Sequence, residues 1–241
     1  MNGETKKKSV GSVLYDDVMG GLRPMIPFVA GGGILMAISF MFGMRIGDNS
    51  VNQFAKILYE IGHNNAMLLM IPIFAGFIAH TIAGQDALAP GMIGGMIAKT
   101  TGSGFLGGIV AGFLAGYLVK LLNKLLSNFP EDFQSIKKLL IIPVISTFLV
   151  GIVMLCVVSV PMAWLNQGLT GFIDGLGTQN LVLTGMVIGG MMAVDLGGPI
   201  NKVAYTFAVA AISNGNYYPM AAAMVGGVVS PLGVALATTI I

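Results

Sequence analysis

Long apolar runs separated by short polar stretches make up most of this chain of 241 residues. A helix that crosses a bilayer needs about 20 mostly apolar residues, and a shorter one is possible where the protein shields it. The pattern predicts five helices in the first two thirds of the chain, and it predicts further apolar helical segments at Leu181–Val194 and from Val203 onward. The five earlier helices, of which the third is short and broken by glycines, are predicted at Pro24–Gly43, Ala66–Ala83, Leu88–Lys99, Phe105–Leu122 and Leu139–Val160.

Composition places these helices in a membrane rather than in a soluble core. Hydrophobic residues make up 55% of the chain and charged residues 9%, against about 25% charged residues in soluble domains. The apolar runs are too long for barrel strands, which show about 10 residues of alternating polarity. We therefore predict an all-α integral membrane protein with about six to seven transmembrane helices and one re-entrant or broken helix.

Lysine placement predicts the orientation, because Lys and Arg concentrate in short cytoplasmic loops. Lys6, Lys7 and Lys8 predict a cytoplasmic N-terminal segment at residues 1–21, followed by a membrane domain at residues 22–241. The loop between the fourth and fifth helices falls on the same side when the short third helix is counted. This loop and its flanks contain Lys120, Lys124, Lys137 and Lys138.

The segment after the fifth helix has a different pattern. Between Pro161 and Asn180 the apolar residues are spaced rather than continuous, and Trp164 lies among them. This pattern predicts an amphipathic helix in the membrane interface, with Trp164 as an anchor. Cys156 lies in the apolar run before it, and we interpret this single cysteine as inert packing.

Glycine recurs at every fourth position of the predicted fourth helix. Such spacing leaves one smooth helix face, on which a neighbouring helix can approach closely. We interpret this face, and the pair Gly91 and Gly95 on the third helix, as packing surfaces. The glycines of the fourth helix are Gly104, Gly108, Gly112 and Gly116.

Between Met191 and Tyr205 an acid, two glycines, a proline, an amide and a lysine interrupt apolar sequence at expected membrane depth. Ionised groups there are costly and mark functional sites, and broken helices form the substrate sites of transporters. An aspartate accepts hydroxyl hydrogen bonds and an asparagine both donates and accepts, which suits a sugar. The alternative is that the aspartate and the lysine pair or snorkel and only fix the fold. The predicted substrate-binding residues are Asp195, Gly197, Gly198, Pro199, Asn201 and Lys202.

Two secondary candidates, His80 and Asp86, lie where the second and third helices join on the predicted cytoplasmic side. The structural interpretation of Asp86 is a cap on the next helix, with Pro90 in its first turns. No second His or Cys stands at metal-ligand spacing from His80, and no nucleotide loop or nucleophile elbow is found. We therefore expect no catalytic residue, no cofactor, no bound metal and no nucleic-acid partner.

Four segments in the same order resemble the fructose-type enzyme IIC of the bacterial phosphoenolpyruvate-dependent phosphotransferase system. They are Phe74–Ala79, Leu88–Gly95, Gly102–Gly108 and Asp195–Lys202, and the resemblance runs from about Gly20 to the end of the chain. It implies the N-terminal part of an IIC fold, which binds an external hexose near re-entrant hairpins. By position, the fourth segment corresponds to the first of these hairpins.

The resemblance also implies partners and a location. A cytoplasmic IIB protein phosphorylates the sugar from a phosphocysteine, so any phosphoryl chemistry is expected on separate IIB and IIA chains. Family members are similar to one another in forming homodimers in the bacterial inner membrane. The family's later Thr-Glu-Gly-Ala-Ile-Pro motif is missing. We therefore expect a fragment, a truncated product or the first piece of a split permease.

Two other functions remain open on the sequence alone. A cation-coupled sugar or small-solute transporter would use the same broken helix without a phosphoryl donor. An inactive truncated scaffold would only dimerise or dock IIB. The sequence does not name the sugar, because fructose, mannitol and mannosylglycerate permeases share much of this pattern.

Overall fold

The computed structural model of the protein is helical, and no strand occurs in the part of the chain that it describes. The described residues are 10–43, 52–130, 133–175, 181–194, 199–213 and 215–240. The α-helices are α1 Val10–Met41, α2 Gln53–Tyr59, α3 Met70–Ala83, α4 Leu88–Thr100, α5 Gly104–Leu125, α6 Gln134–Ile136, α7 Ile142–Val153, α8 Ser159–Gly175, α9 Leu181–Val194, α10 Pro199–Ser213 and α11 Tyr218–Ile240.

Three π-helical segments join some of these helices into longer rods. They are Glu60–Ala66 after α2, Lys137–Ile141 before α7, and Met154–Val158 between α7 and α8. Five rods in the described part are long and apolar enough to cross a membrane, which confirms a multi-pass helical membrane protein. These rods are Gly11–Met41, Gln53–Ala83, Gly104–Leu125, Gln134–Gly168 and Tyr218–Thr239.

The chain divides into two compact units, Met1–Ala163 and Trp164–Ile241. In the first unit α3 lies at the centre and packs against α1, α4 and α5. All but one of its residues from Met70 to Ala79 are buried, as expected for a helix that is apolar on every side. Phe74 of α3 stacks on Phe105 of α5, with ring centroids 4.4 Å apart.

Glycine contacts show that α1 runs antiparallel to α3. Gly21 faces Ile78, whereas Gly32, further along α1, faces Ala66, further back on the α2–α3 rod. A Cβ at Gly21 would lie 2.7 Å from the Phe74 carbonyl oxygen. No side chain fits at such a position, so glycine permits this approach.

The two predicted glycine faces on α4 and α5 are confirmed as packing surfaces at Gly91, Gly95, Gly108, Gly112 and Gly116. Gly91 and Gly95 of α4 face Ala79 and Ala75 of α3 in reverse order, so α4 is antiparallel to α3. Glycines further along α5 face residues further along the chain in α3, so α5 runs parallel to α3 and antiparallel to α1. The contacts on α5 are Gly108 to Ile71, Gly112 to Ile78 and Gly116 to Ile82.

These directions place the beginning of α1 and the end of α5 at the same end of the first unit. This agrees with the prediction for the start of the first helix and the lysine-rich loop, whereas Lys6, Lys7 and Lys8 lie outside the described residues. The short helix α4 is necessary for this arrangement because it reverses the chain between α3 and α5. With 13 residues it is about 20 Å long, less than the hydrocarbon core of about 30 Å.

Helix boundaries differ from the prediction at three places. The first helix begins at Val10 rather than Pro24. The second begins at Gln53 rather than Ala66, because the π-helical segment Glu60–Ala66 continues the helix through polar residues. The prediction of a separate interfacial helix at Pro161–Asn180 is wrong, because α8 continues the rod Gln134–Gly168 that contains α7. Pro161 is tolerated because the π-helical turn before it loosens the backbone where its ring would clash. Cys156 is exposed in that turn and is not packed inside the unit.

A buried hydroxyl joins the turn between α4 and α5 to this rod. The Ser103 Oγ donates a hydrogen bond to the Ser159 carbonyl oxygen at 3.1 Å, and Ser103 is fully buried. The Thr101 hydroxyl lies 3.0 Å from the Ser103 hydroxyl and donates to the Ile97 carbonyl oxygen at 2.8 Å. This connection lies at the end of the unit opposite to the lysine-rich loop.

The second unit is a small cluster of α9, α10 and α11. Its buried core is formed by small and flexible side chains from all three helices. Gly226 of α11 packs directly on α9, because a Cβ there would lie 2.8 Å from the Gly189 Cα. The core residues are Ile188, Met192, Ala204, Ala208 and Ala223.

Candidate functional site

The predicted substrate segment falls at the junction of α9 and α10. Helix α9 ends at Val194 and helix α10 begins at Pro199, so regular helix lies on both sides of the predicted break. Asp195, Gly197 and Gly198 lie outside the described residues. Pro199 and Lys202 lie in the first turn of α10, and nothing is described of their side chains.

Asn201 ties the two sides of this junction together. Its Nδ2 donates a hydrogen bond to the Met192 carbonyl oxygen at 2.9 Å. Met192 lies near the end of the described part of α9. The amide therefore acts as a bridge that holds the start of α10 against the end of α9, a role that the sequence did not suggest.

The surroundings of this bridge are apolar. Met192 and Ala204 are buried in the core of the second unit, and Tyr205 and Phe207 pack against it. A hydrogen bond to a ligand is stronger in surroundings of this kind than in water.

An open groove of about 650 Å³ lies between α9 and α11. Glycine, alanine, valine and methionine line it, and Ser230 supplies its one polar side chain. The Ser230 Oγ already donates to the Gly226 carbonyl oxygen at 2.8 Å. The groove therefore suits an apolar surface and offers little to a sugar, whose hydroxyls need several hydrogen-bonding groups.

The secondary candidates His80 and Asp86 flank the turn between α3 and α4. Gly84, with φ of 75°, ends α3, and its N–H donates to the His80 carbonyl oxygen at 2.8 Å. Asp86 lies in a short 3₁₀ turn and accepts a long hydrogen bond of 3.5 Å from Asn123 of α5. The structure thus brings Asp86 to α5, within the first unit.

The interpretation of Asp86 as a helix cap is wrong. The cap position of α4 is Ala87, and no side-chain cap hydrogen bond is formed there among the described residues. The 3₁₀ turn before α4 satisfies backbone groups locally, since the Ala87 N–H donates to the Gly84 carbonyl oxygen at 3.1 Å. Asp86 is thereby turned toward α5 instead.

Asp17 is a buried acid that the sequence analysis left in the cytoplasmic segment. It lies on α1 and is 7% exposed, so burial is the main influence on its carboxylate, with the charges of Asp16 and of Lys120 near the end of α5 acting in opposite directions. A signal for its burial was present, since Asp17 continues the helical spacing of the buried stripe on α1. The other buried members of that stripe are Gly21, Met25, Gly32, Met36 and Ser39.

Comparison with known proteins gives the family. The sequence profile described as "Phosphotransferase system, EIIC" matches residues 19–241. The chain is similar to the PTS system fructose-specific EIIABC component of Bacillus subtilis strain 168, with 49% identity over 98% of this chain and 38% of that protein. It is also similar to the fructose permease IIC component of Bacillus amyloliquefaciens, with 50% identity over 80% of this chain and 63% of that protein.

A more distant relative is the PTS system fructose-specific EIIC component of Haloferax volcanii, with 37% identity over 98% of this chain and 68% of that protein. The chain thus spans 38% and 63% of the length of the two Bacillus relatives. No solved structure matches the chain. A profile match over nearly the whole chain, with relatives of this identity, shows that the protein belongs to the EIIC family of the phosphotransferase system.

Proposed function

We propose that this protein is the membrane permease component of a phosphoenolpyruvate-dependent phosphotransferase system, and that its substrate is fructose. The observation that carries the proposal is the 49% identity, over 98% of this chain, to a protein named as fructose-specific. The chain binds the hexose and translocates it, while IIA and IIB proteins supply the phosphoryl group. The multi-pass helical fold fits the role of the membrane component, because the described helices are largely apolar.

The sugar site in this proposal is the junction of α9 and α10. Asp195 accepts hydrogen bonds from sugar hydroxyls, and Asn201 positions the site through its bond to the Met192 carbonyl oxygen. Gly197, Gly198 and Pro199 break the helix so that backbone groups can face the ligand, as in other transporter hairpins. Lys202 completes the candidate set. The complete fold in this proposal has six to seven transmembrane helices, with this junction as its re-entrant or broken helix.

The proposed orientation puts the lysine-rich end of the first unit in the cytoplasm. Lys120, Lys124 and Lys138 are exposed near that end, and such residues are retained on the cytoplasmic side. Lys137 differs, since it is buried and its Nζ donates to the Leu126 carbonyl oxygen at 2.6 Å. IIB would approach from this side of the bacterial inner membrane, and the permease would act as a homodimer.

The experiment is equilibrium binding of radiolabelled fructose to the membrane-inserted protein. Asp195→Asn is expected to weaken fructose binding about tenfold, because a hydrogen bond to a charged group contributes about 1.5–3 kcal/mol. Asn201→Ala is expected to weaken it as well, through loss of the bridge to Met192. The control is Asp174→Asn, which changes an acid outside the junction.

Membrane levels of all variants are measured alongside, to separate binding from insertion. Wild-type affinity in both Asp195→Asn and Asn201→Ala would show that the junction is not the sugar site. No binding of fructose by the wild-type protein would contradict the proposed substrate itself.

A further inference from the structure

A polar segment interrupts the apolar α2–α3 rod at the end opposite to the lysine-rich loop. The π-helical residues Glu60–Ala66 include one acid, one imidazole and two amides within six positions. From Gly62 to Gly84, at the other end of the rod, the rise is about 33 Å for a continuous helix. This distance matches the thickness of the hydrocarbon core. We infer that the polar segment lies at the membrane boundary opposite to Lys120 and Lys124.

Hydrogen bonds order the polar side chains of this segment. The Asn64 Nδ2 donates to the Glu60 carboxylate at 2.5 Å. The Asn65 Nδ2 donates instead to the Glu60 backbone carbonyl oxygen at 2.8 Å, so Asn65 stabilises the π-helical turn. Glu60 and Asn64 are both exposed. A carboxylate accepts several hydrogen bonds, so this pair retains acceptor capacity toward a ligand.

Aromatic rings stand beside this polar pair. The Tyr59 ring stacks on the His63 ring with centroids 4.9 Å apart, and the Phe40 ring meets Tyr59 edge-on at 6.1 Å. Ligand sites commonly combine aromatic surfaces with a few fixed polar groups. A hexose presents both hydroxyls and an apolar ring face, which match these two features. A π-helical turn at this position is a further indication, since such turns occur frequently at functional sites.

We propose that Glu60 and Asn64, with the Tyr59–His63 ring pair, form an outward-facing capture site for a neutral hexose. This inference rests on the proposed function, which supplies the ligand class and the outward direction. The capture site uses none of the residues proposed for the α9–α10 junction, and it raises the occupancy of the permease at low external sugar. It contributes to binding of external sugar and not to the later steps of transport.

The experiment measures initial rates of uptake of radiolabelled fructose by the full protein in cells that supply the cytoplasmic phosphotransfer proteins and lack other fructose permeases. Glu60→Gln is expected to lower kcat/KM about tenfold, the ratio expected for a hydrogen bond to a charged group. Asn64→Ala is expected to lower it less. The saturating rate is expected to stay unchanged in both variants, because only binding is affected.

The matched control is Gln53→Ala, an exposed polar residue in the first turn of the same rod, outside the cluster. Membrane levels of each variant are quantified by immunoblot, so that a poorly inserted variant is recognised and normalised. Wild-type kcat/KM in both Glu60→Gln and Asn64→Ala would overturn the capture site and leave the proposed function intact. Equal losses in kcat and kcat/KM would overturn it too, because they would indicate a role in transport rather than capture. No fructose uptake by the wild-type protein would instead contradict the proposed function.

Discussion

At the residue scale, a single amide links α9 to α10, because the Asn201 Nδ2 donates to the Met192 carbonyl oxygen. The interruption at Asp195–Lys202 stands out in an apolar sequence, yet the bond from Asn201 to Met192 was not predicted. Such a bond depends on how two helices end, and this is not encoded in one local pattern. Asp17 illustrates the same limit, because its neighbour Lys120 lies about one hundred positions further along the chain.

The link between Ser103 and Ser159 gives a prediction at this scale. Ser103→Ala removes the hydroxyl that donates to the Ser159 carbonyl oxygen. We expect it to lower the free energy of unfolding by about 1 kcal/mol, the usual size for a hydrogen bond between membrane helices. The measurement is unfolding of the purified protein in detergent, followed by circular dichroism.

Ser159→Ala is the matched control for this prediction. The Ser159 Oγ is buried and has no hydrogen-bond partner among the described residues, and the alanine variant keeps the carbonyl that accepts the bond. This variant is expected to be as stable as wild type or slightly more stable, since it removes an unsatisfied polar group. An equal loss of stability in both variants would mean that the link does not join the two elements.

At the element scale, hydrophobic length predicts the existence of helices well and their ends poorly. The predicted α4 at Leu88–Lys99 differs from the observed Leu88–Thr100 by one residue, and the predicted segment Leu181–Val194 is helical as α9. The α2–α3 rod instead continues through Glu60–Ala66, because helical backbone satisfies its own hydrogen bonds whatever the polarity of its side chains. Polar residues therefore do not end a helix by themselves.

Helix directions lead to a prediction about the loop between α5 and α6. A cysteine at Ser127, which is exposed, should react with an impermeant thiol reagent only after the cells are permeabilised. Cys156 is first replaced by alanine, because it is exposed and would add its own signal. The physical reason is the retention of lysine-rich loops on the cytoplasmic side.

The control for the loop experiment is a cysteine at Gln53, at the opposite end of the first unit. It should react with the same reagent in intact cells. Labelling of the Ser127→Cys variant from outside, with the Gln53→Cys variant protected, would reverse the proposed orientation. The capture site at Glu60 and Asn64 would then face the cytoplasm.

At the scale of the whole molecule, composition and four ordered segments were enough to place the chain in its family. The resemblance was confirmed by the profile match over residues 19–241. The division into two units was not predicted, because apolar runs carry no information about which helices contact each other. Packing at Gly108, Gly112 and Gly116 decides this in the first unit, through contacts that only glycine permits.

We propose that sugar movement through this protein is coupled to phosphorylation by separate proteins. The most direct test uses right-side-out membrane vesicles that contain the protein and enclose IIA, IIB, the general phosphotransfer proteins and phosphoenolpyruvate. Radiolabelled fructose is added outside, and the chemical form of the internal label is determined. We predict that the label accumulates inside as sugar phosphate, and that accumulation stops when IIB is omitted. Accumulation of free fructose driven by an ion gradient, without phosphoenolpyruvate, would show that transport is not coupled to phosphorylation.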